Sequence, residues 1–238
     1  MLSPQIIFED KNIIALNKPA GYLSHPIKMG DLRPSITGWL AEKYPYLKKV
    51  GAVQNRFAIV HRLDRETSGI ILAAKNQGTF ENLQSQFKER KVKKEYIALV
   101  AGTITKGGII DKPLVFFKNK KEFKIKALSV NKNTPGDSAN SKKIKKIRQA
   151  QTVFQVLENY DSYTLLKVFP QTGRTHQIRV HFKSINHPIV GDRKYNKKSD
   201  APRLFLHASA IEFSYPEGRK IRLEAPLPED FTIYQCLN

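Results

Sequence analysis

Apolar positions along this chain recur with two periods, and they divide it into many short strands and a few short helices. Ile6-Ile7-Phe8 and Ile13-Ile14-Ala15-Leu16 flank the polar stretch Glu9-Asp10-Lys11-Asn12, which predicts a β-hairpin. Asn17-Lys18-Pro19-Ala20-Gly21-Tyr22 then breaks regular structure. Ile36, Trp39, Leu40 and Tyr44 stand at helical spacing. Phe57-Ala58-Ile59-Val60 predicts a strand running into the polar segment His61 to Ser68. Gly69-Ile70-Ile71-Leu72-Ala73-Ala74, apolar on both faces, predicts a central strand. Phe80, Leu83 and Phe87 mark an amphipathic helix with Thr79 as its N-cap. Lys93 to Val100 reads as a further strand, ended by Ala101-Gly102, with Tyr96 near its start.

Residues 118–148 differ in character: eleven Lys or Arg stand against two Asp or Glu, a net of +9. Asn133-Thr134-Pro135-Gly136-Asp137-Ser138 reads as the tip of a long basic loop or hairpin. Thr152 to Leu157 and Tyr163 to Val168 predict a second hairpin, and Gln171-Thr172-Gly173-Arg174 turns the chain. Thr175 is the expected N-cap of a helix with Ile178, Phe182 and Ile185 as its apolar stripe. His176, Arg179 and Lys183 fall on its polar face, and Asn186-His187-Pro188 stops it. There is no internal repeat and no clear domain boundary. The expectation is an α+β fold with a mainly antiparallel, mixed central sheet flanked by helices and loops. Residues 1–238 suffice for one large domain or two intimate subdomains, with a basic insertion at about 118–148.

Charge narrows the choice of partner. There are 41 Lys+Arg and 21 Asp+Glu, a formal net charge of +20. Such a surplus repels itself unless a polyanion neutralises it, so RNA, DNA or an anionic membrane surface would account for it. A lone cysteine, Cys236, excludes a disulfide within the chain and a cysteine-rich zinc site. The start Met1-Leu2-Ser3-Pro4-Gln5 carries no visible signal peptide, and no apolar run is long enough to span a bilayer. The expectation is a cytoplasmic monomer.

Candidate chemistry centres on Asp64, which stands between Arg62 and Arg65 in the loop framed by two apolar runs. Its carboxylate can be a nucleophile, a general base or half of a surface ion pair. An arginine such as Arg179 beside a buried carboxylate keeps it ionised, but an arginine there can equally bind phosphate. Tyr96, taken alone, reads as core. His61, His176, His181, His187 and His207 are scattered without metal-ligand spacing. No GxGxxG or P-loop is present, so no nucleotide cofactor is indicated.

These residues carry a family resemblance. His61-Arg62-Leu63-Asp64-Arg65-Glu66-Thr67-Ser68-Gly69 resembles the signature of the RluA-type pseudouridine synthases. Asn17 to Gly21 with His25-Pro26 is similar to that family's N-terminal motif. Lys94-Glu95-Tyr96-Ile97-Ala98 is similar to its tyrosine motif. Thr172 to His181, then His187 to Asp192 and Leu204 to Ala208, resemble the later motifs in family order. The resemblance implies the pseudouridine synthase catalytic fold, in the form without an N-terminal S4 domain, and isomerisation of uridines in structured RNA, ribosomal or transfer, with no cofactor or metal. It implies that Asp64, Tyr96 and Arg179 are catalytic: Asp64 as the essential aspartate, Tyr96 stacked on the uracil, Arg179 paired with Asp64. Arg62, Arg65, Arg174, His176 and Leu206 are then expected to bind substrate, Leu206 as an apolar wall of the pocket. The rival expectation is a non-catalytic, basic RNA-binding or ribosome-assembly protein.

Overall fold

The computed structural model describes residues 2–28, 30–51, 53, 55–118, 123–128, 144–196, 199–215 and 217–231. In chain order the elements are β1 (Gln5–Glu9), β2 (Ile13–Lys18), α1 (Ile36–Lys43), a 3-10 turn (Pro45–Lys49), β3 (Ser68–Ala74), α2 (Gln77–Lys88), β4 (Lys93–Ala101), β5 (Gly108–Asp111), β6 (Leu114–Lys118), β7 (Phe123–Ala127), β8 (Ile144–Arg148), β9 (Gln151–Asn159), β10 (Tyr163–Pro170), α3 (Gln177–Ser184), β11 (Leu206–Ser214) and β12 (Lys220–Glu224). They form two compact units, Met1–Ala98 with Pro202–Asn238, and Leu99–Ala201. The fold is α+β, as the periodicity predicts. Among the described residues no helix is long and apolar enough to cross a membrane.

In the first unit the strand order is β1-β2-β3-β11-β4, with β12 on β11. Every pairing is antiparallel except the short parallel contact of β3 with β11 at His207↔Ser68 and Ala208↔Gly69. All seven residues of β3 are buried, so it is the central strand its two apolar faces predict. Ile14, Leu16, Ile70, Leu72, Phe80, Leu83 and Phe213 share its core with Ile36 and Leu40 of α1. Helix α2 is fixed to the end of β11 by Gln86, which donates to Ser214 O at 2.7 Å and accepts from Ser214 N at 2.9 Å.

Gly69 decides how closely β3 and β11 approach. Its φ is +113°, and a Cβ there would lie 2.2 Å from the carbonyl oxygen of Ala208. Only glycine fits both the torsion and the contact.

Three local expectations are corrected. Residues 57–60 make no strand: only Ile59 forms an isolated bridge, to Ala73. Ala58 sits at φ 61°, which turns the chain out of extended geometry, although Ala58 O still accepts from Ala74 N at 2.8 Å. Helix α2 is capped by Asn76, whose side chain accepts from Thr79 N at 2.9 Å, so Thr79 is the capped donor and not the cap. Helix α3 has His176, in the left-handed region at φ 54°, at its N-cap position, and not Thr175. By contrast α1 has an ordinary serine cap, Ser35 accepting from Gly38 N at 3.1 Å.

The second unit carries the β9–β10 hairpin with β5 on its β9 edge, and a separate sheet in the order β7-β6-β8. The expected basic insertion at 118–148 therefore contains two strands, β7 and β8, that both pair with β6. Residues 119–122 and 129–143, including the expected tip, lie outside the described residues. Leu114, Phe116 and Ile125 pack with Ala150 and with Val180 of α3.

Candidate active site

The loop carrying Asp64 is fixed on both sides of that residue. His61 Nε2 accepts from Leu72 N at 2.9 Å, and its ring stacks on Phe87 with centroids 4.7 Å apart. The Ser24 hydroxyl donates to Leu63 O at 2.9 Å and accepts from Leu63 N at 3.0 Å. Thr67 N donates to Asp64 O at 3.2 Å, and Gly21 N donates to Arg65 O at 2.9 Å. Arg65 Nε returns a bond to Gly21 O at 3.0 Å. The backbone is thereby held while the Asp64 side chain stays half-buried and the side chains of Arg62 and Arg65 are exposed.

Lys18 closes this arrangement from below. It is completely buried, and its ammonium donates to Pro19 O at 3.0 Å, Tyr22 O at 2.8 Å and Arg65 O at 3.0 Å. Three donors meet three carbonyls, which is the full capacity of a lysine. Burial draws its pKa down to about 7, while the charges of Glu66 and Asp64 oppose that shift. The stretch that sequence patterning reads as irregular thus contains the residue that ties the end of β2 to the Asp64 loop.

Tyr96 and Leu206 share one face of the β4–β11 pair. Tyr96 lies opposite Ala208 and Ala98 opposite Leu206, and paired residues of antiparallel strands project to the same side. Leu206 is buried and Tyr96 half-buried. Burial pushes the Tyr96 phenol above its ordinary pKa, and the charge of Asp64 pushes it further the same way.

The neighbouring position, His207, is fully buried. Its Nδ1 meets Ser68 Oγ at 2.9 Å, and Ser68 Oγ also accepts from Arg203 Nη2 at 2.7 Å. Burial draws the His207 pKa down to about 4, so the ring is neutral at pH 7. Its role is structural, as is that of His181, which bridges Thr152 Oγ1 at 2.8 Å and Lys112 O at 3.0 Å. Among the described residues no His, Cys, Asp or Glu cluster could hold a metal ion.

In the second unit the turn before α3 is organised by buried Gln177. Its Oε1 accepts from Thr172 Oγ1 at 2.6 Å and Arg174 N at 3.1 Å, and its Nε2 donates to Gln151 O at 2.9 Å and Thr152 Oγ1 at 3.0 Å. Arg174 Nε reaches Gln149 O at 3.2 Å, and His176 Nδ1 meets the Tyr195 hydroxyl at 2.9 Å. Arg179 is not on a solvated face as its spacing suggests: it is 8% exposed. Its Nε and Nη2 contact the two oxygens of Asp192 at 2.7 and 2.8 Å, and its guanidinium lies 5.2 Å from the Tyr195 ring centroid. Asp192 also accepts from Lys194 N and Tyr195 N, each at 3.1 Å. Lys18, Asp192 and Arg203 are the polar residues that sequence reasoning passes over as site components. The only sign of Asp192 is its place at the end of the His187 to Asp192 motif.

Residues 12–184 match the family model described as RNA pseudouridylate synthase. The ribosomal large subunit pseudouridine synthase C of Buchnera aphidicola subsp. Acyrthosiphon pisum is 36% identical over 246 residues, covering 97% of this chain and 69% of that protein. A Helicobacter pylori protein described as an RNA pseudouridine synthase is 40% identical over 232 residues, covering 97% of this chain and 77% of its own. Among solved structures, human RNA pseudouridylate synthase domain containing 4 aligns with a TM-score of 0.73 at 25% identity, covering 95% of this chain and 90% of that one.

Proposed function

The chain belongs to the RNA pseudouridylate synthase family and is an RNA pseudouridine synthase, and from that premise we propose that it isomerises uridines of large-subunit ribosomal RNA with Asp64 as its reactive carboxylate. One observation supports the residue assignment: the half-buried Asp64 side chain stands on a loop whose backbone is held at Leu63 and Arg65. A rigid backbone under a half-exposed carboxylate suits a group that must meet one sugar carbon in one orientation.

The reaction breaks the bond from uracil N1 to ribose C1′, turns the base, and joins C5 to C1′. C5 loses a proton and N1 gains one, so atoms and electrons balance without a cofactor. Asp64 acts at the ribose, by attack on C1′ or by removal of a sugar proton, and either route needs the ionised carboxylate. The target nucleotide leaves its stack to reach the site. In this reading Tyr96 supplies the stacking face and Leu206 the apolar wall. Arg179, oriented by Asp192, is the third catalytic residue. Arg62, Arg65, Arg174 and His176 hold the RNA, and exposed Lys126, Lys146 and Arg148 on β7 and β8 add phosphate contacts. Affinity should then fall with salt, by about 0.7 in log K per neutralised phosphate of single-stranded RNA for each decade of salt. The proposed setting is the cytoplasm.

The test is tritium release from RNA labelled at uridine C5, with total ribosomal RNA and bulk tRNA as separate substrates. Wild type should release tritium from ribosomal RNA, and Asp64→Asn, of nearly the same shape, should release none. Release from tRNA alone would move the substrate assignment. Wild-type turnover by Asp64→Asn would remove the carboxylate from the mechanism.

A further inference from the structure

One recess on the same loop shares only Arg62 with the residues assigned to RNA binding. It is lined by His25, Val53, Arg56, Ile59, Val60, His61, Arg62, Phe80 and Gln84 and has a volume of about 260 Å³. That is below the roughly 300–1,000 Å³ of pockets for drug-sized ligands, so it suits a fragment as small as a single base. Its last loop residue, Arg62, stands two positions before Asp64.

The lining has an apolar floor and a rim of hydrogen-bond donors. Ile59, Val60, Phe80 and Val53 present carbon surface. Arg56 and Arg62 are exposed guanidinium planes, on which unstacked bases are commonly held. His25 Nε2 accepts from Arg56 Nε at 2.8 Å, which puts the ring proton on Nδ1. That Nδ1 is buried and has no hydrogen-bond partner among the described residues. Burial, with the charges of Arg56 and Arg62, draws the His25 pKa down to about 4, so the ring is neutral at pH 7 and keeps this single donor. A buried donor without an acceptor asks for an explanation. His61 Nε2 is likewise an acceptor, for Leu72 N, which leaves its proton on Nδ1 as well. Among the described lining residues the one side-chain acceptor left over is the amide oxygen of Gln84.

We propose that this recess binds one nucleobase of the RNA flanking the target uridine, and that it prefers guanine or uracil to adenine or cytosine. A carbonyl-bearing edge, O6 and N7 of guanine or O4 of uracil, meets the exposed guanidinium N–H groups of Arg56 and Arg62, with the His25 ring packed behind them. The exocyclic amino groups of adenine and cytosine would face donors. The flanking position rests on the proposed function; the base site itself does not.

The experiment titrates ¹⁵N-labelled full-length protein with GMP, UMP, AMP, CMP and inorganic phosphate, reading the His25 ring and Arg56 Nε resonances. Wild-type tritium release on ribosomal RNA is measured on the same preparation. GMP or UMP should shift both groups, and AMP and CMP should need several-fold higher concentrations. Arg56→Ala should abolish the His25 response with the melting temperature unchanged, and Val53→Phe, which fills the recess and keeps every charge, should abolish the response of both groups. On ribosomal RNA each variant should lose roughly tenfold or more in kcat/KM, as expected when one stacked base is lost. Equal shifts from phosphate alone, equal shifts from all four nucleotides, or no shift would each overturn the proposal. A protein that releases tritium but ignores nucleotides sinks the recess alone. One that binds guanine or uracil here and releases no tritium supports the recess and sinks the proposed function.

Discussion

The Arg179–Asp192 pair allows the most direct thermodynamic test. Both side chains are buried, Asp192 fully, and two contacts of 2.7 and 2.8 Å join them. Asp192→Ala removes both contacts and also strands the N–H groups of Lys194 and Tyr195. Breaking a buried pair from one side costs about 3–5 kcal/mol, and the lower end applies here because the contact with the Tyr195 ring survives. Arg179→Met leaves a buried carboxylate that still accepts two backbone N–H bonds, so its cost should be smaller, about 2 kcal/mol. Once one partner is gone, removing the other relieves a buried charge. The double variant should therefore be no less stable than Asp192→Ala alone, and the coupling energy should reach about 2 kcal/mol.

Urea unfolding of the four proteins at pH 7 and one salt concentration measures the cycle, with the m-value as a check that unfolding stays two-state. Single effects that add within about 0.5 kcal/mol would refute the reasoning, because they would mean that neither charge depends on the other. Tritium release on the same set separates folding from chemistry. If Arg179 acts in the reaction, the double variant is no less stable than Asp192→Ala but loses activity beyond it.

The remaining predictions concern the frame. Lys18 has a folded pKa of about 7, below its unfolded value of 10.5. Between those limits the unfolded chain binds the extra proton, so Lys18 makes stability rise with pH by at most about 1.4 kcal/mol per unit. Wild type should gain on Lys18→Met in urea midpoints from pH 7 to pH 10, and an unchanging difference would rule this out. Gly69→Ala should cost more than about 4 kcal/mol, because its Cβ meets the Ala208 backbone; near-native thermal stability would show that β3 and β11 can part. Asn76→Ala should cost about 1 kcal/mol of helix capping and Thr79→Ala should not cost this capping energy, a contrast readable in paired melting curves.

What sequence patterning conveys here is local, and the site is not. The hairpins at β1–β2 and β9–β10, the buried β3 and the stripe of α2 all follow from spacings inside one element, and each forms where its period predicts. The errors fall where a distant partner decides. Residues 57–60 have strand composition, but Ala58 is turned so that its N–H reaches Val50 O and its carbonyl serves Ala74, and no local pattern encodes that pair. Arg179 repeats with His176 and Lys183 as a polar face would, yet Asp192, 13 residues on, makes burial tolerable for its charge. Lys18 is harder still. All of β2 except Asn17 is buried, so alternation cannot separate an inward lysine from an outward one, and its acceptor on the Asp64 loop is 47 residues away. The motif identifies Asp64 as the residue to watch; the reason it can be held still lies in Lys18, Gly21 and Ser24. A carboxylate between two arginines is an ordinary surface ion pair until its backbone is tied to a neighbouring loop, and that tie is made by carbonyls and amides that no side-chain pattern displays.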